Sequence, residues 1–244
     1  MARRSWIPPR GTREGEIRGG LIATLGVLAA ILLSVVGTLL VWWLDGSVHS
    51  LLALCVGQAG LWAGLLGACL IAVRRHGDGS LRELGWLPLS WRQLGSGTVG
   101  ALIARFGGGA VAFALLQLFP NDSTANDSGY TTRLHRSVLE IVVIVFILVI
   151  GAPVVEELFF RGLVQGAITN RFGARSAVFA QAVLFGIVHF QLGMTFGQAV
   201  IVVTTIGATG LVLGSLRWHY QRLGPGMIAH ALFNSVAVVA LLLV

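Results

Sequence analysis

Six polar side chains interrupt the apolar second half of the chain with types and spacings suited to hydrolysis. They are Glu156, Glu157 and Arg161 in GAPVVEELFFRG (151–162), His189 at the end of FGIVH, and His230 with Asn234 in HALFN. A carboxylate withdrawn from water holds a proton more tightly and becomes a competent general base, and a nearby imidazole can share or orient the proton of a water. Peptide hydrolysis also needs donors for the oxyanion that develops on the attacked carbonyl. Inside a bilayer each ionisable group is costly unless it finds a partner or a wet cavity, so each marks a candidate functional site.

Glu157 and Arg161 are spaced i, i+4 and can neutralise each other on one helix face, whereas Glu156 is turned about 100° away and needs another partner. His230 and Asn234 are also i, i+4 and share a face. Turn residues in NRFGARS (170–176) suggest a helical hairpin closing at Phe172 and Gly173. Glu156 and His189 would then each lie about 24 Å of helix from the turn, at matching depth. Counted from Pro225, a good first-turn residue, His230 and Asn234 fall about 8 to 14 Å into the last helix, which is shallower. Pro153 removes a backbone donor and predicts a kink just before the glutamates.

This residue set admits several chemistries. One is a water activated by glutamate and histidine. Another is a zinc ion held by His189, His230 and Glu156, which would lower the pKa of a bound water. The chain has no HExxH and no compact ligand pair on one helix, so Zn2+ and a metal-free site both stay open. Buried carboxylates and histidines also serve proton- or ion-coupled transporters, but no inverted repeat is visible. A Glu–Arg pair alone equally fits a non-catalytic scaffold. Nucleophilic catalysis finds no GxSxG elbow, and neither Cys55 nor Cys69 stands beside a histidine. Arg105 receives no role.

The elements that carry these residues must be membrane helices. Hydrophobic residues make up 55 % of the chain and charged ones 11 %, with a mean hydropathy of +0.83. The expected fold class is all-α, a polytopic transmembrane bundle of about seven spans at 21–44, 51–73, 95–119, 137–168, 174–191, 196–216 and 225–243. The first apolar run is too long for the core of a signal peptide and reads as an uncleaved anchor. The net charge of +7 comes from seventeen arginines and no lysine. Those at 3–18, 74–92, 171–175 and 217–222 fall on one side, which the positive-inside rule makes cytoplasmic; Arg133 and Arg136 are exceptions. An N-terminus inside, a C-terminus outside and a multi-pass place in the plasma membrane follow. No basic stripe interleaved with aromatics suggests a nucleic-acid partner. The expected partners are the lipid bilayer and a membrane-associated protein or peptide, with no indication of oligomeric state.

EELFFR (EExxxR, 156–161), FGIVH (FxxxH, 185–189) and HALFN (HxxxN, 230–234), in that order on separate apolar helices, resemble the signature of the CPBP family of intramembrane proteases. The family includes the type II CAAX prenyl endopeptidases and bacterial proteins once grouped as Abi or bacteriocin-immunity proteins. The resemblance covers about the last 110 residues. Charge and hydropathy give a basic N-terminal segment at 1–20 and three transmembrane helices with loops at 21–136, and the resemblance implies a CPBP-like catalytic core at 137–244. It also implies an intramembrane endopeptidase, often called a metalloprotease. Glu156 and His189 would take the water, His230 and Asn234 would face the oxyanion, and Glu157 with Arg161 would support them. It carries no substrate. The arginine-only basic set and the richness in alanine and glycine suggest a bacterium with a GC-rich genome, where prenylated CAAX proteins are not expected.

Overall fold

The computed structural model describes residues 13–122 and 137–243. Among these the chain is 85 % helical and contains no strand. Seven helices follow in order: α1 (Arg13–Asp45), α2 (Leu51–His76), α3 (Trp91–Leu118), α4 (Val138–Phe172), α5 (Ala174–Ile187), α6 (Phe196–Tyr220) and α7 (Gly224–Leu243). The all-α membrane bundle is therefore present. Helices α1, α2, α3, α4 and α6 are long and apolar enough to cross a membrane, while α5 and α7 supply shorter apolar stretches. At 14 residues, α5 spans about 21 Å, short of a ~30 Å hydrocarbon core.

Local signals set the ends. Ser50 caps α2 by accepting from the Ala53 amide. Ser137 with Glu140 and Thr195 with Gln198 form reciprocal capping boxes at the starts of α4 and α6. The α4–α5 turn falls where its residues placed it, on Gly173, whose φ of 82° suits glycine. His189 differs from expectation. The helix ends at Ile187, and the His189 amide bonds the Gly186 carbonyl, so the imidazole stands just beyond α5 rather than within a span.

The packing is inside-out relative to a water-soluble core. Large side chains such as Leu32, Phe106 and Phe113 are exposed, a surface that lipid must cover. Helices α1 and α2 approach closely where a Cβ on Gly60 would stand 2.7 Å from the Leu33 backbone. The central cluster gathers Leu158, Phe159, Phe160, Phe185, Cys69 and Leu223. Cys55 and Cys69 are free thiols, Cys69 being a buried packing residue.

Pro153 does not break α4 into two pieces. The ladder widens to an i→i+5 pattern over Phe146–Gly151 and again over Glu157–Val164. Such widened turns recur at functional sites, and the second one contains Glu157 and Arg161. Between α2 and α3 a short 3-10 turn, Leu81–Leu84, folds back onto the bundle. There the Gly85 carbonyl accepts from the Leu223 amide at 3.0 Å, which fixes the entry to α7.

Candidate active site

The second widened turn of α4 buries Glu157 and Arg161 completely, and their side chains meet at 3.0 Å (Nη1 to Oε1). The i, i+4 pairing expected of them is present. The guanidinium makes no aligned hydrogen bond among the described residues. It lies instead over the face of Phe185, 4.1 Å from the ring centroid, a cation–π contact that is strongest in a desolvated site.

His230 of α7 joins the two glutamates. Its Nδ1 lies 3.3 Å from Glu157 Oε1 and its Nε2 lies 3.8 Å from Glu156 Oε2. An ionised carboxylate only accepts, so in the Glu157 contact Nδ1 is the donor, and Nε2 is the ring nitrogen turned towards Glu156. Close approach of α7 is possible because residue 226 is glycine: a Cβ there would stand 2.6 Å from Glu157 Oε2. Glu156 keeps 15 % of its side chain accessible while Glu157 keeps none. Of the adjacent glutamates only Glu156 keeps any contact with the outside, and its Oε2, which faces His230, is buried without a hydrogen-bond partner among the described residues.

His230 was expected to lie shallower than Glu156, yet the two meet. Helix α4 must run about 15 Å past the start of α7, since Glu156 is about 24 Å from Phe172 and His230 about 9 Å from Gly224. The turn residue Leu84 packs against this overhang: a Cβ on Gly162 would stand 2.9 Å from Leu84 Cβ.

His189 is placed differently from the sequence geometry, which had Glu156 facing it. No hydrogen bond or ion pair joins them among the described residues. The connection runs through Phe185, whose ring meets the His189 ring edge-on at 4.8 Å and the His230 ring at 5.8 Å between centroids. His189 Nδ1 lies 2.6 Å from the Phe185 carbonyl. A carbonyl only accepts, so Nδ1 is the donor in this contact.

Asn234 is partly committed elsewhere, for a reason that lies in α4. The Ala152 amide donates to Ile147, five residues back. In that register the Leu148 carbonyl would need the amide at 153, where proline has none. Asn234 Nδ2 donates to Leu148 O at 2.7 Å and fills the gap. Neighbouring helices often satisfy backbone freed by a membrane proline in this way.

Several contributors were not singled out from the sequence. Phe185 was only a spacing landmark. Gln165 donates to the Gly214 carbonyl at 3.0 Å and Gln181 to the Gly210 carbonyl at 2.9 Å, tying α4 and α5 to α6. Glutamines inside apolar runs were the available signal. Arg217 was read as a loop arginine but belongs to α6 and is 4 % exposed. It interacts electrostatically with Glu157, and its guanidinium packs over Gly85, where a Cβ would stand 2.9 Å from Cζ. With Glu156, Glu157, Arg161 and Arg217 all ionised, the cluster is neutral. Arg105 lies apart and exposed on α3, 6.0 Å from the Phe233 ring centroid. Arg133, His135 and Arg136 lie outside the described residues.

The metal set inferred from sequence does not converge. Among the described residues no group of three or more His, Cys, Asp and Glu side chains is placed to hold a metal ion. His189, His230 and Glu156 as arranged do not fit a zinc site, and the chemistry below uses the side chains themselves.

Comparison with known families bears on the same segment. Residues 138–236, which include all six site residues, match the family model for type II CAAX prenyl endopeptidase Rce1-like proteins. This segment is an Rce1-like domain. Rce1-like proteins are proteases, and the matched segment lies in a chain with five helices among the described residues that are long and apolar enough to cross a membrane. No curated protein and no solved structure gives a significant match.

Proposed function

We propose that this chain is an intramembrane endopeptidase that hydrolyses a peptide bond in a membrane-associated or hydrophobic substrate, using water activated by Glu156 and His230. The observation that carries the proposal is the placement of His230 between the two glutamates. Glu157 fixes the ring tautomer, and His230 Nε2 stands 3.8 Å from Glu156 Oε2. Two acceptors at that separation suit one shared water.

The water donates one hydrogen to each acceptor, and a lone pair on its oxygen attacks the scissile carbonyl carbon. Glu156 takes the proton as the carbon–oxygen bond forms, and the carbonyl oxygen becomes the oxyanion. Asn234 spends one amide hydrogen on Leu148 and offers the second to that oxyanion. Collapse of the intermediate breaks the carbon–nitrogen bond, and the proton held by Glu156 passes to the leaving amine. His189 assists that transfer at the half-buried rim. Arg161 and Arg217 hold the Glu157 carboxylate in place so that His230 does not lose its orientation.

Helices α1 to α3 form the scaffold for the catalytic core of 137–244 in a bacterial plasma membrane, with the start of α3 and the end of α6 at its cytoplasmic face. The partners are the bilayer and the substrate, not nucleic acid. The test is cleavage of fluorogenic peptides bearing an apolar or lipidated segment, by purified protein in liposomes, with and without a chelator. Cleavage that survives chelation supports a glutamate-activated water. Loss on chelation, restored by zinc, would replace it with a metal mechanism. Proton or ion flux without cleavage would favour a transporter, and neither activity would favour a scaffold.

A further inference from the structure

On the side of α6 opposite Leu213, Gly214 and Arg217, a groove of about 690 Å³ runs between α3 and α6. Its walls are apolar, with Val99, Ile103 and Leu211 along them, and its open end carries Arg92, His219 and Tyr220. None of its lining residues is acidic. Helix α3 begins at this end and α6 finishes there, so the two run antiparallel from a common level. From Arg92 to Ile103 is about 16 Å of helix and from Tyr220 to Leu211 about 14 Å. Half of a ~30 Å hydrocarbon core is ~15 Å. The groove therefore has the length of one leaflet, with its cation at the headgroup level and its apolar floor at the midplane. Trp91 and Trp218, 76 % and 46 % exposed, sit at the same level, where interfacial aromatics belong, and the Arg92 guanidinium lies 5.4 Å from the Trp91 ring centroid.

We infer that this groove is a binding site for one anionic glycerophospholipid, an acyl chain lying along Val99 and Leu211 and the phosphate held by Arg92 with His219. The site is separate from the glutamate cluster and does not depend on the chain being a protease. Its arginine end is the side the loop charges assign to the cytoplasm, where a leaflet rich in anionic lipid attracts basic residues.

The test titrates the delipidated full-length protein in mild detergent with phosphatidylglycerol, phosphatidylcholine and soluble glycerol phosphate, read by native mass spectrometry. Phosphatidylglycerol should bind about fivefold more tightly than phosphatidylcholine, as expected for one cation near the headgroups. Arg92→Gln should remove that preference and Arg92→Lys should keep most of it. Ser215→Trp, which fills the groove, should weaken both lipids. Equal affinity for the two lipids would overturn the inference, as would a preference that survives Arg92→Gln or lipid binding unaffected by Ser215→Trp. Glycerol phosphate binding as tightly as the lipid would make this a soluble-anion site and would also overturn it.

Discussion

Replacing Asn234 with alanine should destabilise the bundle more while residue 153 is proline than once it is not. The amide of Asn234 satisfies a carbonyl that Pro153 leaves without a partner, at 2.7 Å. An orphaned polar group costs about 1–3 kcal/mol in a buried setting, whereas side-chain hydrogen bonds between membrane helices average about 0.6 and reach about 1.7 kcal/mol. The bond is between two membrane helices and spans a carbonyl that has no amide at 153 to fall back on, so a value near the upper end of the membrane range is expected. Asn234→Ala should cost about 1.5 kcal/mol, roughly tenfold in the unfolding equilibrium. Pro153→Ala supplies an amide at the position that the i→i+5 register requires, and the same Asn234→Ala change in that background should cost about 0.5 kcal/mol. The assay is reversible unfolding in mixed micelles for all four proteins, analysed as a double-mutant cycle. A coupling of about 1 kcal/mol is expected. Equal cost of Asn234→Ala in both backgrounds would refute the link between the proline and the amide.

Three further outcomes follow from the same structure. Arg161→Met should destabilise by about 3–5 kcal/mol because it strands the fully buried Glu157 carboxylate, and adding Glu157→Gln should recover part of the loss in the same unfolding assay. Arg217→Leu should loosen the Leu81–Gly85 turn, seen as faster hydrogen exchange of the Leu223 amide that bonds Gly85. Glu83, in that turn and outside the spans, accepts from the Asp78 amide at 2.6 Å, yet desolvation by burial, with the Asp78 charge adding to it, raises its pKa. The folded turn thus binds the proton more tightly than the unfolded chain. Its stability is greatest below the unfolded pKa and falls as pH rises towards the folded one. The protection of amides 78–85, relative to the intrinsic exchange rate at each pH, should fall across that window in the wild type and stay level in Glu83→Gln.

What could be read from the sequence was what local chemistry decides. The Gly173 turn, the Glu157–Arg161 pair and the disturbance at Pro153 each depend on residues within a turn or two of one another. Long-range placement was less legible. Matching depth for Glu156 and His189 says nothing of helix rotation, and α5 ends before His189, so it is His230 that stands beside Glu156. Depth counted from each helix start assumed level ends, whereas α4 overhangs α7 and the Leu81–Leu84 turn fills the step. Arg217 closes a hydrophobic run, where a loop arginine and a buried one look alike. The repair of the gap at Pro153 joins Asn234 to Leu148, 86 positions apart in the chain, and no local pattern announces it.

The most direct measurement is the cleavage rate of Glu156→Gln beside the wild type in liposomes, with unfolding midpoints measured on the same preparations. Glutamine keeps the shape of the side chain but cannot take the water's proton. Removing a general base costs about 10²–10⁴ in rate, so kcat should fall by at least about a hundredfold while the midpoint stays unchanged. A Glu156→Gln protein that folds normally and cleaves at the wild-type rate would contradict the central claim.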